Sequence, residues 1–163
     1  MKLLFIGIIH AFFIYPCIAQ DFDRPDSVII NGHLPLRCLR QTSGFGWRVH
    51  PITGKFQFHK SVDLAARHDT VFSILNGTVS GIGYNSLIGN YILIAHPGDV
   101  QSLYGHLSVI AVLPDEQVTA GQAIGITGAT GRVTGEHLHF SIKYHGRELS
   151  PLAFLCGLYA MPP

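Results

Sequence analysis

The sequence is poor in the features that mark several protein classes. Charged residues make up only 13% of its 163 residues, the formal net charge is +1, and no basic cluster occurs. Nucleic acid is thereby set aside as a partner, because binding it calls for a concentrated positive surface. No repeat or low-complexity tract stands out, and no segment shows helical periodicity over ten or more residues, which argues against solenoids and helical bundles. Cysteine is scarce, at three residues. Neither Cys38 nor Cys156 has a Cys or His at finger-like spacing, so a thiolate metal site is discounted. What the chain does have is 47% hydrophobic residues, 18 glycines, nine prolines and ten histidines. The first figure supplies a packed core and weighs against disorder, and the length suits one domain. The glycines and prolines imply many turns and a β-rich fold. The histidines prompt a search for metal or acid–base chemistry.

Residues 1–19, "MKLLFIGIIHAFFIYPCIA", open with Lys2, continue through an apolar stretch and end in Cys17-Ile18-Ala19. Small residues at the −3 and −1 positions fit signal-peptidase cleavage before Gln20. The alternative is an uncleaved membrane anchor, but the stretch is short for a span and lacks a basic flank on its far side. The "IYP" ahead of Cys17 does not look like a lipoprotein box. The expectation is an exported protein in the periplasm or outside the cell, with no stable membrane insertion. Removal of Cys17 leaves Cys38 and Cys156 as an even pair in an oxidising compartment, and a disulfide between them is expected. Two buried free thiols are the alternative.

Residues 20–33 are polar and read as a lead-in segment, followed by one domain over residues 34–163. Within it, "LPLRCLRQT" reads as a strand and "SGFGWRVHPITG" as a turn-rich loop. In "KFQFHKSVDLA", Phe56, Phe58, Val62 and Leu64 share one parity, while Gln57, His59, Ser61 and Asp63 share the other; strict alternation marks a half-buried strand. Asn76-Gly77 suggests a hairpin between two short strands. "GNYILIAH" and "VQSLYGHLSVIAV" read as paired strands, and "VTAGQAIGITGATGRVTG" as brief strands joined by tight turns. In "EHLHFSIKYHGREL", Leu138, Phe140, Ile142 and Tyr144 alternate with His137, His139, Ser141 and Lys143. The class is all-β or nearly so.

Strand parity puts His137 and His139 side by side, and likewise His59 and Asp63. Either pair alone is weak evidence, since an imidazole near a carboxylate is also an ordinary surface contact or an orienting pair. Together they provide two His and one Asp on polar strand faces. Catalytic zinc takes three such protein ligands and keeps the fourth position open.

The stretches "SGFGWRVHPITGKFQFHKSVDLAA", "LYGHLS" and "GQAIGITGATGRVTGEHLHF" resemble, in order, the motifs of the lysostaphin/LytM-type zinc metallopeptidases, the M23 family of peptidoglycan endopeptidases. The likeness runs from about Leu36 to the "LSPLAFL" segment. It implies a compact antiparallel β-sheet domain with an open groove, and one zinc ion held by His59, Asp63 and His139. It implies further that His106 and His137 are the catalytic pair beside the metal. Inactive members of the fold lose ligands, whereas all five positions are filled here. Three departures stand out: Ser61 where the family usually has Gly, Glu136 where Pro is common, and Ser141 where Glu often follows. A hydroxyl at Ser61 would crowd the site or hydrogen-bond within it. Glu136 differs in parity from the histidines and is not assigned as general base.

The implied reaction is hydrolysis of a peptide bond in peptidoglycan stems or cross-bridges; which bond is left open, as are the separate roles of His106 and His137. An ordinary imidazole titrates near pH 6.5, so activity is expected to fall below roughly pH 6. Trp47, Tyr84 and Tyr104 are candidates to wall a groove, although aromatics more often form core. His50 and Arg48 either line the cleft or brace a loop. His33, His68, His96 and His145 read as surface or turn residues. Two rival readings are a non-catalytic module that binds wall peptides or activates an amidase, and an exported structural protein with incidental histidines. Metal content separates both from the enzyme.

Overall fold

The computed structural model describes residues 32–49 and 54–160. The expected signal peptide, residues 20–31 of the lead-in segment and His50 lie outside the described residues. The last two lead-in residues pack against the domain: the His33 backbone N–H donates to the Ile74 carbonyl (2.8 Å), and its ring tilts onto Phe72.

Among the described residues, twelve strands and one helix follow in chain order: β1 (Gln41–Ser43), β2 (Gly46–Val49), β3 (Phe56–His59), β4 (Val62–Ala65), β5 (Thr70–Phe72), β6 (Gly77–Asn85), β7 (Gly89–His96), β8 (Val100–Ile110), β9 (Gln117–Val118), β10 (Ala123–Thr127), β11 (His137–Tyr144), β12 (Arg147–Leu149) and α1 (Pro151–Ala160). The mainly β expectation holds. Ten strands form one antiparallel sheet whose main path is β1-β4-β11-β8-β7-β6-β9, and β2 with β3 makes a separate two-stranded sheet. Alternation explains the long central strands. Leu138, Phe140 and Ile142 of β11 are fully buried with Tyr104 and Leu107 of β8 and Ile92 and Ile94 of β7. The opposite face of β11 is thereby left to His137 and His139. The expected pairing of "GNYILIAH" with "VQSLYGHLSVIAV" is the β7–β8 ladder.

Several local expectations are corrected. The alternating stretch 56–65 is two strands in two different sheets, broken at Lys60-Ser61. Val62 and Leu64 enter the core, but Phe56 is 68% exposed and stacks on Trp47, which is itself 66% exposed. The expected loop "SGFGWRVHPITG" contains β2, held to β3 by the cross-strand pair Trp47↔Phe58. Asn76-Gly77 joins no hairpin, since β5 pairs with β10 and β6 with β7 and β9. The helix α1 was unforeseen. Pro151 opens it after Ser150, whose carbonyl accepts the Phe154 N–H (3.0 Å), and Leu155 anchors it to the core.

Cys38 and Cys156 are free, exposed thiols, so neither the expected disulfide nor the alternative pair of buried thiols is found. Cys38 lies in the bend ahead of β1 and Cys156 on an outward side of α1. Position near the chain ends says nothing of the Cα separation and Cβ direction that a bridge requires. Among the described residues, no helix is long and apolar enough to cross a membrane.

Candidate functional site

The site is built on a single cross-strand row. In the register of β4 with β11, Asp63 stands directly opposite His139, and in that of β11 with β8, His139 stands opposite Gly105. His59, at the end of β3, comes to the same place because the chain turns at Lys60-Ser61 into β4. One ligand atom from each of His59, Asp63 and His139 lies within 4.8 Å of the others. His139 Nδ1 is 3.0 Å, and His59 Nε2 3.5 Å, from Asp63 Oδ1. The other carboxylate oxygen faces Arg48, whose Nη2 is 3.8 Å from Asp63 Oδ2. Burial alone would raise the Asp63 carboxyl, but the hydrogen bond and attraction from His139 outweigh it and hold the group well below the usual carboxylate range.

His106 and His137 stand beside this trio. Their ring centroids are 4.6 Å apart, and His106 is 5.4 Å from His139. Simple alternation along β8 does not place His106. The pairing of β7 with β8 shifts between Asn90 and Ile92, so an extra residue enters β8 around Gly105-His106. His106 there adopts φ 61°, unusual for a non-glycine residue, and the bulge re-aims its side chain. The residue is 4% exposed and its Nδ1 donates to the Thr130 carbonyl (2.8 Å). Burial, helped by repulsion from His137 and His139, pushes the His106 ring down to about 4, against the Thr130 carbonyl and Asp63, which favour the proton.

Three rings are fixed in one tautomer by the backbone. His59 Nδ1 donates to the Gly44 carbonyl (2.8 Å), His106 Nδ1 to that of Thr130 (2.8 Å) and His137 Nδ1 to that of Gly135 (2.8 Å). Each neutral ring therefore presents its Nε2 lone pair away from its anchor. This donor set fits a divalent ion such as zinc: two imidazoles and an ionised carboxylate converge, and a backbone carbonyl orients the His59 ring.

All five residues expected from the sequence are brought together here. The cavity at the site, of about 260 Å³, is also lined by Arg48, Gln57, Leu87, Ile88 and Arg132–Thr134. Gln57 shares the parity of His59, but no sequence signal pointed to Arg132 or to the Thr130 anchor. A larger cavity of about 810 Å³, bounded by Arg40, Arg67, His68 and Glu136 among others, adjoins it at Thr134 and His137. Glu136 is engaged there rather than at the His59–Asp63–His139 cluster, accepting from the His68 backbone N–H and from Thr127 Oγ1. Of the expected groove aromatics, Tyr104 is buried in the core, and Trp47 and Tyr84 are exposed away from the cavity lining. His96 is not a surface residue: its Nε2 is 2.7 Å from Ser102 Oγ, which is 3.1 Å from Tyr104 Oη.

Residues 57–151 match Peptidase family M23. The chain is 38% identical over 119 residues to the peptidoglycan DD-endopeptidase ShyC of Vibrio cholerae, which covers 72% of this chain and 28% of that protein. It is 36% identical over 120 residues to the DD-carboxypeptidase/endopeptidase Mpg of Neisseria meningitidis, covering 73% of this chain and 28% of the relative. The chain thus corresponds to little more than a quarter of these relatives' length. Its fold matches a zinc containing peptidase from Vibrio cholerae with a TM-score of 0.69 and 34% identity, over 74% of this chain and 39% of the other. It matches the catalytic domain of lysostaphin from Staphylococcus simulans with a TM-score of 0.65 and 30% identity, over 72% and 92% of the two chains.

Proposed function

Because the chain belongs to peptidase family M23, we propose that it is an exported zinc metalloendopeptidase acting on peptide bonds in peptidoglycan stems or cross-bridges. The observation that carries this reading is the convergence of His59, Asp63 and His139 within 4.8 Å, with His106 and His137 beside them. In this reading residues 1–19 direct export, residues 20–33 lead in, and residues 34–163 form the catalytic domain.

His59, Asp63 and His139 would hold one zinc ion. When bound, zinc supplies Lewis acidity, polarising the scissile carbonyl and acidifying water at the site. Every other role falls to the chain. Asp63 enters the site ionised, because its hydrogen bond with His139 holds it in that form. His106 is kept neutral by burial, so its Nε2 is ready to accept a proton near neutral pH. His137, anchored through Nδ1, presents a second Nε2 at the same face. Between them the two rings accept the water proton, stabilise the developing oxyanion and return a proton to the leaving amine. Arg48 draws Asp63 Oδ2 aside, leaving Oδ1 toward the histidines.

The test is digestion of purified muropeptides, read by mass spectrometry, with zinc-loaded and chelator-stripped protein. Cleaved cross-links or stems that depend on zinc support the proposal. Binding to muropeptides without cleavage by zinc-loaded protein overturns it in favour of a recognition module.

A further inference from the structure

Ser61 sits at the turn between β3 and β4, 1% exposed, with its side chain among the metal-site groups. Its Oγ is 2.7 Å from His59 Nε2 and 3.3 Å from His139 Nδ1. The direction of the first bond follows from the ring's other nitrogen. His59 Nδ1 faces a backbone carbonyl, Gly44, which only accepts, so Nδ1 carries the proton and Nε2 of the neutral ring carries the lone pair. The Ser61 hydroxyl is therefore the donor to Nε2. A metal ion takes that same lone pair.

We propose that Ser61 is a built-in competitor for the metal: its hydroxyl satisfies His59 Nε2 in the metal-free site and gives up that bond when an ion binds. This inference rests on the reading of His59, Asp63 and His139 as the metal site. The competition matters because the hydroxyl is buried. The acceptor its Oγ reaches at 2.7 Å is a ligand nitrogen, His59 Nε2, while His139 Nδ1 is turned to the Asp63 carboxylate, so metal binding removes a hydrogen bond and leaves a desolvated O–H to find another partner. The net effect is a site that is ordered without metal and binds metal less tightly than its three ligands alone would. Ser61 is thus a positioning residue that sets metal affinity rather than a catalytic one.

The experiment compares full-length wild type, Ser61→Ala and Ser61→Gly, each stripped of metal. Zinc affinity is read by competition with a chromophoric chelator, and thermal stability is read on the metal-free forms. Removal of the hydroxyl should tighten zinc binding by about 3–30-fold. It should also lower the melting temperature of the metal-free protein, where the bond to His59 is lost. A merely structural defect would move both quantities the unfavourable way, so the opposite signs are diagnostic. Unchanged or weaker zinc binding in Ser61→Ala overturns the inference, and Ser61→Gly decides if the alanine variant does not fold. Wild type that binds zinc while the variants match it removes the competitor role alone. Wild type that binds no zinc removes the metal-site reading along with it.

Discussion

At the scale of single residues, His106 combines three properties that are seldom found together: a positive φ inside a strand, near-complete burial and a ring fixed through Nδ1. Strain and burial at one residue are sustained by the surrounding packing, and they mark a side chain whose position matters more than its own comfort. His106→Ala should therefore leave zinc bound, because the three ligands are untouched, while hydrolysis falls by about 10²–10⁴-fold, the usual worth of a positioned acid or base. Elemental analysis alongside turnover checks this, and near-normal turnover in the zinc-loaded variant would remove His106 from the mechanism. His137→Ala should behave alike; loss of zinc there would mean that His137 and His139 exchange roles. The pH dependence needs revision from the sequence-based value. An ordinary imidazole would lose activity below roughly pH 6, but His106 is pushed down to about 4 and stays neutral well below that point. No acid limb of kcat/KM that belongs to His106 should accordingly lie near the ordinary imidazole value; its own titration falls below roughly pH 6. A limb centred above pH 6 that vanishes in His106→Ala would contradict this.

Among the elements, the loop ahead of β7 and the one around Thr130 hold each other, and through them His106. Gly89 and Gly131 both have positive φ, and a Cβ on Gly131 would lie 2.3 Å from the Gly89 backbone nitrogen. That approach sets Thr130 where its carbonyl accepts from His106 and its hydroxyl reaches the Leu107 carbonyl. Gly131→Ala meets both a conformational penalty and a backbone clash, and should cost about 2 kcal/mol or more in a denaturant titration. Activity should fall further than the folded fraction does, since the anchor of His106 shifts. Equal activity per folded molecule would show that the anchor is dispensable. None of this coupling was legible in the sequence. The long strands β7, β8 and β11 were, because each buries one face and alternates in step with it. His59, Asp63, His137 and His139 were also legible, through even spacing and the family-like motifs. The break between β3 and β4 was not, because the apolar parity of Phe58 resumes at Val62 and Lys60 interrupts it for one position only, while the chain changes sheets. Helix α1 was invisible for the opposite reason: "PLAFLCGLYA" is apolar almost throughout, so its 3.6-residue period leaves no contrast. Asn76-Gly77 carried a turn signal, but β5 finds its partner in β10, a pairing that only tertiary packing selects.

For the molecule as a whole, the buried histidines tie folding stability to pH. His96 is pushed down by burial, partly offset by the Asn76 carbonyl, and His106 is pushed down to about 4. In the unfolded chain both rings take protons near pH 6.5. Below that pH the unfolded state binds more protons than the native state, so stability falls as the solution is acidified. For His106 the loss runs from about 6.5 down to about 4, where the folded ring also protonates. Asp63 acts in the same direction at lower pH: its folded carboxyl is held below the usual range, so its contribution is present above about pH 4 and is lost as pH falls through the folded value. Each ring kept neutral contributes at most about 1.4 kcal/mol per pH unit, so two together are enough to dominate the acid slope of a marginally stable domain. The measurement is the melting temperature of chelator-treated protein from pH 7.5 to pH 4.5, with chelation removing the separate stabilisation that bound zinc would add. Wild type should lose stability steadily over this range. His96→Gln keeps a polar side chain but no titrating ring; it should start less stable at pH 7.5, because the Ser102–Tyr104 network is disturbed, and then decline with a shallower slope. Parallel curves for the two proteins would show that His96 takes a proton in the folded state as readily as in the unfolded one, and a flat wild-type curve would say the same of His106.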